Sequence, residues 1–192
     1  KDSPLTGSLV AQKYDHLFLP TFTVTNIEYN IRLFDPEKDS IEDLTDLLHR
    51  AYKRLADMGL NFIATHQDAQ YTRKYLERGE CYVLSEGKRL IGTIFYYLKT
   101  FSDAPDIFKR EDTVLFGKFA VDPACQNLGL GSRLMDFIES YAISNGKKQI
   151  VLDTSEKAFH LIDYYTKRGY EIVQHWQWSD VNYRSVVMRK TL

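Results

Sequence analysis

A short glycine-containing segment could bind an anion through backbone groups alone. It consists of Gln126, Asn127, Leu128, Gly129, Leu130 and Gly131, and Ser132 follows it. Because glycine has no Cβ, the backbone can turn tightly there and a ligand can approach it closely. If a helix begins at this point, its first N–H groups lack partners, and its macrodipole places about half a positive charge at that end. The segment therefore predicts a phosphate-binding loop that needs no basic side chain.

The sequence on either side supplies the elements that would position this loop. The apolar run from Val114 to Val121 predicts a strand, and the run from Ser132 to Ala142 predicts a helix. Leu134 stands where a dinucleotide-binding fingerprint would have its third glycine, and no Gly-Lys-Ser or Gly-Lys-Thr follows. A turn that merely needs glycines and a nucleotide-binding domain of another kind remain as alternatives.

A second motif lies further along the chain. Tyr165 stands four residues before Gly169, which is followed by Tyr170. Gln-x-x-Gly-x-Gly after a strand ending in Val121 resembles the acyl-CoA pyrophosphate loop of the GNAT acetyltransferases. Tyr-x-x-x-Gly-Tyr resembles the motif that these enzymes carry on a later helix. The two motifs, in this order, cover about residues 113–176, and a looser pattern of strands and helices covers residues 27–98.

The resemblance implies an enzyme that moves an acetyl group from acetyl-CoA to a primary amine of a small molecule or a protein. The amides from Leu128 to Ser132 would hold the pyrophosphate, and Gln126 would flank it. The strand edge at Phe119 and Val121 would bind pantetheine and polarise the thioester carbonyl.

The resemblance also assigns the leaving group a proton donor. Tyr165 would be the general acid for the departing thiolate, whereas Tyr164 is expected to leave its hydroxyl in water. Many family members have an Asn at the start of the last helix, but this chain has the segment 154–157, Thr-Ser-Glu-Lys, where Ser155 could make a similar hydrogen bond. Because that Asn and a clear base are missing, a non-catalytic acyl-CoA-binding module on the same fold is an alternative.

The sequence does not single out a general base or an acceptor site. Carboxylates near predicted strand ends are candidates for the base, and each is equally explained as a solvated charge or a cap: Glu80, Glu111, Asp112, Asp122 and Asp153. Candidates for acceptor contact in the helical region are Tyr52, Phe62, His66 and Tyr71. Trp176, Trp178 and Tyr183 could line the acceptor site or the seam of a homodimer. Ordinary packing explains these aromatic residues as well.

The bulk properties indicate one ordinary globular domain. The 192 residues are 44% hydrophobic and 27% charged, and the net charge of −1 favours neither nucleic acid nor an anionic membrane as a partner. The first residues show no signal-peptide core, and no apolar run approaches the roughly 20 residues of a membrane span. Cys81 and Cys125 are too few for a disulfide framework, which favours a cytoplasmic location. Cys125 is expected to be a filler rather than a reactive thiol, and no histidine spacing predicts a metal.

The predicted fold class is α/β (α+β), a GNAT fold with a mixed central sheet of six to seven strands and about four helices. Residues 1–25 are expected to form an irregular arm with a short strand within 17–24, and residues 26–192 a single acetyltransferase domain. The predicted strands are 29–33, 80–85, 89–97, 113–121, 149–153, 170–176 and 184–188. The predicted helices begin at Ser40, at Gln67, at the glycine segment and at Ser155. Gly117 predicts a bulge in its strand or a close backbone approach.

Overall fold

The structure is a computed structural model that describes residues 20–24 and 27–192. The described strands are Thr21–Val24 (β1), Ile27–Leu33 (β2), Gly79–Glu86 (β3), Arg89–Tyr97 (β4), Thr113–Val121 (β5), Gln149–Ser155 (β6), Glu171–Trp176 (β7) and Ser185–Thr191 (β8). The described α-helices are Ile41–Asp57 (α1), Ala69–Leu76 (α2), Leu130–Ser144 (α3) and Phe159–Lys167 (α4).

The strands form one mixed sheet. Its order is β1-β2-β3-β4-β5-β6-β8-β7, so the described part of the sheet has eight strands rather than the predicted six to seven. The additional strand is β1, which pairs antiparallel with β2 from Thr21 to Val24 and brings this part of the predicted arm into the sheet. The remainder of the arm, including residues 17–19, lies outside the described residues. The mixed α/β class is confirmed.

The only parallel pair of described strands is the one that the glycine segment connects. β5 and β6 run parallel, and α3 forms the crossover between them. A strand–helix–strand unit within one sheet typically forms such a parallel crossover. All other described neighbours are antiparallel.

Both faces of the sheet are covered by helices, because side chains along a strand alternate between its faces. Leu115 belongs to the core cluster that includes α1 residues Leu44 and Leu47. Phe116, one residue later, belongs to the cluster on the α3 and α4 side, which includes Leu134. The strand β5 is therefore buried on both faces, as its nearly continuous apolar sequence indicates.

The helix boundaries follow local capping. Ser40 caps α1 as predicted, since its Oγ accepts a hydrogen bond of 3.0 Å from the amide of Asp43. The helix predicted from Gln67 begins at Ala69, because Asp68 caps it through a 2.7 Å bond from the Tyr71 amide. The prediction that the last helix begins at Ser155 is wrong. Ser155 is instead the final residue of β6, and α4 begins at Phe159.

Two irregularities of β5 open the sheet at its centre. Thr93 pairs with Ala120 whereas Phe95 pairs with Gly117, so β5 carries an extra residue and the predicted bulge is confirmed. Lys118 lies in this bulge with a φ of 49°, in the left-handed region. The pairing of β5 with β6 ends at Leu115 opposite Val151, although both strands continue.

Candidate active site

The gap between the diverging ends of β5 and β6 leads into two cavities. The first cavity has a volume of about 790 Å³ and the second about 360 Å³. Five residues line both of them: Tyr52, Phe62, Phe116, Gly117 and Asp153. The two cavities therefore share a wall, which is formed by the β5 bulge and by Asp153 of β6.

The first cavity collects most of the residues that the sequence predicted for donor binding. Its lining includes Phe119, Val121, Gln126, Asn127, Gly129, Leu130, Gly131, Ser132 and Tyr165. Leu128 is 37% exposed and does not line it. Ser155 is fully buried outside both linings, and its Oγ accepts a 3.2 Å hydrogen bond from the amide of Lys157.

The glycine segment presents free amides to this cavity. Gly129 caps α3 with a φ of 74° and offers no side chain as a cap. No N–H from Asn127 to Ser132 donates a backbone hydrogen bond within the described part of the chain, and the amide of Arg133 is the first that does, to the Gly129 carbonyl at 3.1 Å. The turn therefore leaves a row of unpaired donors at a helix N-terminus, where an anion is favoured.

The strand β5 packs closely under this turn. A Cβ built on Gly131 would lie 3.3 Å from the Phe119 ring and 3.7 Å from Val121 Cγ2. Gln126 Nε2 donates to the Val121 carbonyl at 3.3 Å, which ties the turn to the end of the strand. The glycine at position 131 thus lets the helix start approach the strand edge.

Helix α1 supplies positive charge across the first cavity, which the sequence analysis did not anticipate. Arg50, Lys53 and Arg54 all line it. Arg50 is bonded to Asp122 at 3.0 Å and Lys53 to Asp57 at 2.7 Å, whereas Arg54 is in no salt bridge within the described ranges. The i, i+3, i+4 spacing of these three residues on a helix was a readable signal, because such residues share one face.

Three tyrosines lie around the first cavity. Tyr165 is 6% exposed and packs against Phe116, and burial raises its pKa well above the usual value. Tyr52 of α1 lines the same cavity, and burial also raises its pKa. The Tyr164 ring stacks on Phe119 at 6.1 Å, and its hydroxyl is buried. The prediction that the Tyr164 hydroxyl extends into water is therefore wrong.

The second cavity is walled by aromatic rings. Among the predicted acceptor contacts, Tyr52, Phe62, Tyr71, Trp178 and Tyr183 line it. Two others do not: His66 Nδ1 is 3.0 Å from the Thr65 hydroxyl, and Trp176 packs against Trp178 at 6.3 Å.

Asp153 is the carboxylate of the shared wall. Trp178 Nε1 and Ser185 Oγ each donate a hydrogen bond of 2.9 Å to its Oδ2 atom. Burial raises the pKa of Asp153, and these two hydrogen bonds oppose the shift. The sequence named Asp153 only as one of five carboxylates near strand ends.

The other four carboxylates lie outside both cavities. Glu80 accepts a 2.6 Å hydrogen bond from the Tyr141 hydroxyl, and Asp112 is paired with Arg110 at 2.9 Å. Asp122 accepts the amide of Ala124 at 3.0 Å in addition to its ion pair with Arg50. Glu111 is exposed in the turn that precedes β5.

Two cationic side chains reach the second cavity and were missed in the sequence analysis. Lys118 and Arg78 both line it. Lys118 was detectable as the single charged residue inside the apolar strand 113–121. Arg78 gave no comparable signal, because it lies in a polar turn between a helix and a strand.

Cys125 lines the first cavity, and burial raises its pKa, which disfavours the nucleophilic thiolate. Among the described residues, no group of three or more His, Cys, Asp or Glu side chains could hold a metal ion. Nor do the described ranges include a helix with the length and apolar character that a bilayer crossing demands.

These features agree with comparisons to known proteins. The chain belongs to the acetyltransferase (GNAT) family, whose pattern it matches over residues 41–170. It is 30% identical over 136 residues to the S-(2-succino)cysteine N-acetyltransferase of Bacillus subtilis (strain 168). The aligned residues cover 70% of this chain and 79% of the relative. The chain is an acetyl-CoA-dependent N-acetyltransferase.

Solved structures support the same fold. The ribosomal-protein-S18-alanine N-acetyltransferase of Escherichia coli superposes with a TM-score of 0.64 at 14% identity, covering 85% of this chain and 93% of that one. A GNAT family acetyltransferase from Elizabethkingia anophelis with acetyl-CoA bound gives 0.61 at 18% identity, covering 85% and 98%. At these identities the likeness concerns the fold alone.

Proposed function

We propose that this chain transfers the acetyl group of acetyl-CoA, bound in the first cavity, to a primary amine that enters through the second. The observation that carries the proposal is the wall shared by the two cavities. Asp153 and the β5 bulge stand in that wall. A thioester and an amine that approach from opposite sides would meet there, and such positioning can contribute about 7–11 kcal/mol to catalysis at best.

Donor binding would use backbone groups. The amides from Asn127 to Ser132 would hold the pyrophosphate, with Gln126 beside them. The β5 edge at Phe119 and Val121 faces the gap left where β6 diverges, so its backbone groups would bind the pantetheine arm. An N–H on this edge would stabilise the oxyanion formed when the amine attacks. Ser155 has no place in this scheme, because it does not line the first cavity.

Asp153 would take the proton from the incoming ammonium group. A typical alkylamine has a pKa of about 10, so it arrives protonated at neutral pH. Loss of this proton frees the nitrogen lone pair, which attacks the thioester carbonyl carbon. Burial of Asp153 supports this role, because it raises the pKa of the carboxyl group and so reduces the difference between that pKa and the pKa of the amine.

Tyr165 would serve the leaving group. When the C–S bond breaks, the sulfur leaves as a thiolate whose conjugate acid has a pKa of about 8.5, by analogy with cysteine. Burial keeps the Tyr165 hydroxyl protonated at neutral pH. Because the phenol has the higher pKa, full proton transfer is uphill by about 1.4 kcal/mol for each unit of difference. Tyr165 would therefore act first as a hydrogen-bond donor to the developing thiolate.

The acceptor is proposed to be a small molecule rather than a protein. The relative from Bacillus subtilis is named for the acetylation of a cysteine derivative. The second cavity, at about 360 Å³, matches an acceptor of that size.

The test combines binding and turnover with the purified chain. Calorimetry with acetyl-CoA, NAD and ATP should show binding of acetyl-CoA alone. Incubation of acetyl-CoA with a panel of amino acids, alkylamines and peptides should then release free CoA thiol and give an acetylated amine, identified by mass spectrometry. Binding of acetyl-CoA without transfer to any acceptor would favour the non-catalytic module, and binding of NAD or ATP instead would refute both.

A further inference from the structure

An ammonium group is held beside the second cavity by neutral partners. Lys118 projects from the β5 bulge, and its Nζ donates a 2.8 Å hydrogen bond to Gln67 Oε1. The same Nζ lies 4.3 Å from the centre of the Tyr75 ring. Gln67 is 4% exposed and is fixed in turn by a 2.6 Å hydrogen bond from its Nε2 to Thr72. These contacts orient the amine of Lys118 but supply no counter-charge, and burial lowers its pKa to about 7, so a bound carboxylate would favour its protonated form.

A second cation stands on the same wall. The Arg78 guanidinium lies 4.1 Å from the centre of the Phe101 ring. The centre of the Tyr75 ring, over which the Lys118 amine lies, is 6.4 Å from the centre of the Phe101 ring. The two cations therefore lie over neighbouring rings. Neither Lys118 nor Arg78 takes part in a salt bridge within residues 20–24 and 27–192, whereas Arg50 and Lys53 of the first cavity are both paired.

Unpaired cations are unusual at such a place. Withdrawing a charge from water is unfavourable unless a counter-charge or hydrogen bonds compensate it. Asp180 and Asp153 line the same cavity and act on Lys118 through space, but Asp180 is exposed and neither forms a salt bridge with Lys118 among the described residues. The arrangement leaves a place for an anion supplied from outside the described chain.

We propose that the acceptor carries a carboxylate together with its amine, as an amino acid does, and that Lys118 and Arg78 bind this carboxylate. The inference rests on the proposed function and names its substrate class. Asp153 lines the same cavity and would receive the amine. The cavity lining thus combines two cations with carboxylates, Asp153 together with the exposed Asp103 and Asp180, and groups of both signs are complementary to a zwitterion.

An acceptor that is only cationic is the rival for a cavity walled by aromatic rings, because such rings attract cations. Here two of the rings already face cations of the protein, Lys118 over Tyr75 and Arg78 over Phe101. A polyamine bound at these rings would lie close to two like charges. The same charges favour a carboxylate.

The test measures binding separately from turnover. The quenching of tryptophan fluorescence, which Trp178 in the cavity wall can report, is recorded for S-(2-succino)cysteine, methionine and phenylalanine, and for the corresponding amides or esters. Spermidine is the purely cationic probe. The free acids should bind about 10- to 100-fold more tightly than their uncharged derivatives, because a hydrogen bond to a charged partner is lost in the latter.

Substitutions assign this preference to the two cations. Lys118→Met and Arg78→Met should each weaken binding of the free acid about tenfold or more and leave binding of the amide nearly unchanged. Lys118→Arg should retain much of the preference for the acid. Acetyl-CoA affinity should not change, since neither residue lines the first cavity. Lys88→Met, which removes an exposed charge in the β3–β4 turn, should behave as wild type.

The outcomes separate this inference from the proposed function. Equal binding of acids and amides, stronger binding of spermidine, or no binding of any amino acid at millimolar concentration would overturn the inference, even if amines are acetylated. A carboxylate-dependent binding that Lys118→Met abolishes would uphold it, even if no acetyl group is transferred.

Discussion

The indole of Trp178 donates a 2.9 Å hydrogen bond to Asp153 Oδ2, which links the connection between β7 and β8 to the centre of the active site. Ser185, the first residue of β8, donates to the same oxygen. The other oxygen, Oδ1, receives no hydrogen bond from the described residues. One half of the carboxylate is thus anchored, and the other half is available to an acceptor.

Asp153→Asn should abolish base catalysis without disturbing the fold. The amide oxygen can still accept the bonds from Trp178 and Ser185, but an amide cannot take up the ammonium proton. We expect kcat to fall by about a hundredfold or more, with acetyl-CoA affinity nearly unchanged. Steady-state kinetics and calorimetry measure the two quantities. Asp112→Asn, at a carboxylate outside both cavities, is the control, and an active Asp153→Asn enzyme would exclude the base role.

Trp178→Phe should move the acid limb of the pH profile. The indole hydrogen bond lowers the pKa of Asp153 against the larger effect of burial. Its removal should raise that pKa, and because the base must be deprotonated, the fall in kcat/KM on acidification should begin at a higher pH. The profile of kcat/KM against pH tests this. A shift toward lower pH would show that Asp153 is not the titrating group.

Tyr165→Phe should reduce turnover more than Tyr164→Phe. Both substitutions preserve the ring and remove a hydroxyl at the first cavity. If Tyr165 supports the leaving thiolate, its loss should lower kcat about a hundredfold while acetyl-CoA still binds. Tyr164→Phe should retain most of the activity, because the phenylalanine ring can still stack on Phe119. The reverse order would assign the proton donor to Tyr164.

The donor side of the site was predictable from sequence because local chemistry specifies it. A strand, a turn with glycines and a helix in succession require a helix N-terminus at the turn, and Gly129 and Gly131 lie there. Tyr165 was assigned to the cleft through the resemblance of its spacing from Gly169 to the GNAT motif, and it lines the first cavity. The start of α4 was wrong because β6 continues through Ser155 in its pairing with β8, a tertiary contact that local pattern does not reveal.

The acceptor side was not predictable to the same extent. It is assembled from segments that are distant in sequence, such as Arg78, Lys118 and Trp178. Asp153 acquires its position because β5 and β6 stop pairing at Leu115 and Val151. The point at which two strands diverge depends on packing over the whole sheet, so five carboxylates remained equivalent until the structure separated them.

Gly129→Ala and Gly146→Ala form a matched pair at the two ends of α3. Both glycines have a positive φ, 74° and 71°, and in both cases an added Cβ would meet no atom within 4 Å. Backbone strain should therefore lower the free energy of unfolding by about 1 kcal/mol in each variant. Only Gly129→Ala should also weaken acetyl-CoA binding, by about tenfold, because the amides of the loop lose their alignment.

Denaturant unfolding and calorimetry measure the two effects of this pair. Equal acetyl-CoA affinity in both variants, at equal loss of stability, would show that the loop does not hold the pyrophosphate. Equal weakening in both would attribute the effect to a general loss of stability rather than to the loop.

Lys118→Met should stabilise the protein most at low pH. Burial lowers the pKa of Lys118 to about 7, with Asp180 and Asp153 opposing the shift, whereas the unfolded chain has a lysine pKa of about 10.4. Between these values the folded state binds fewer protons than the unfolded state, so wild-type stability gains from rising pH. Below pH 7 the charged lysine imposes its full penalty on the fold, and the methionine variant should exceed wild type by about 4 kcal/mol, since each unit between the two pKa values corresponds to about 1.4 kcal/mol. The advantage should shrink as the pH approaches 10. Urea unfolding of both proteins from pH 6 to 10 measures the difference in their free energies of unfolding, with Lys88→Met as a surface control. If this difference stays constant with pH, or grows toward pH 10, burial does not lower the pKa of Lys118.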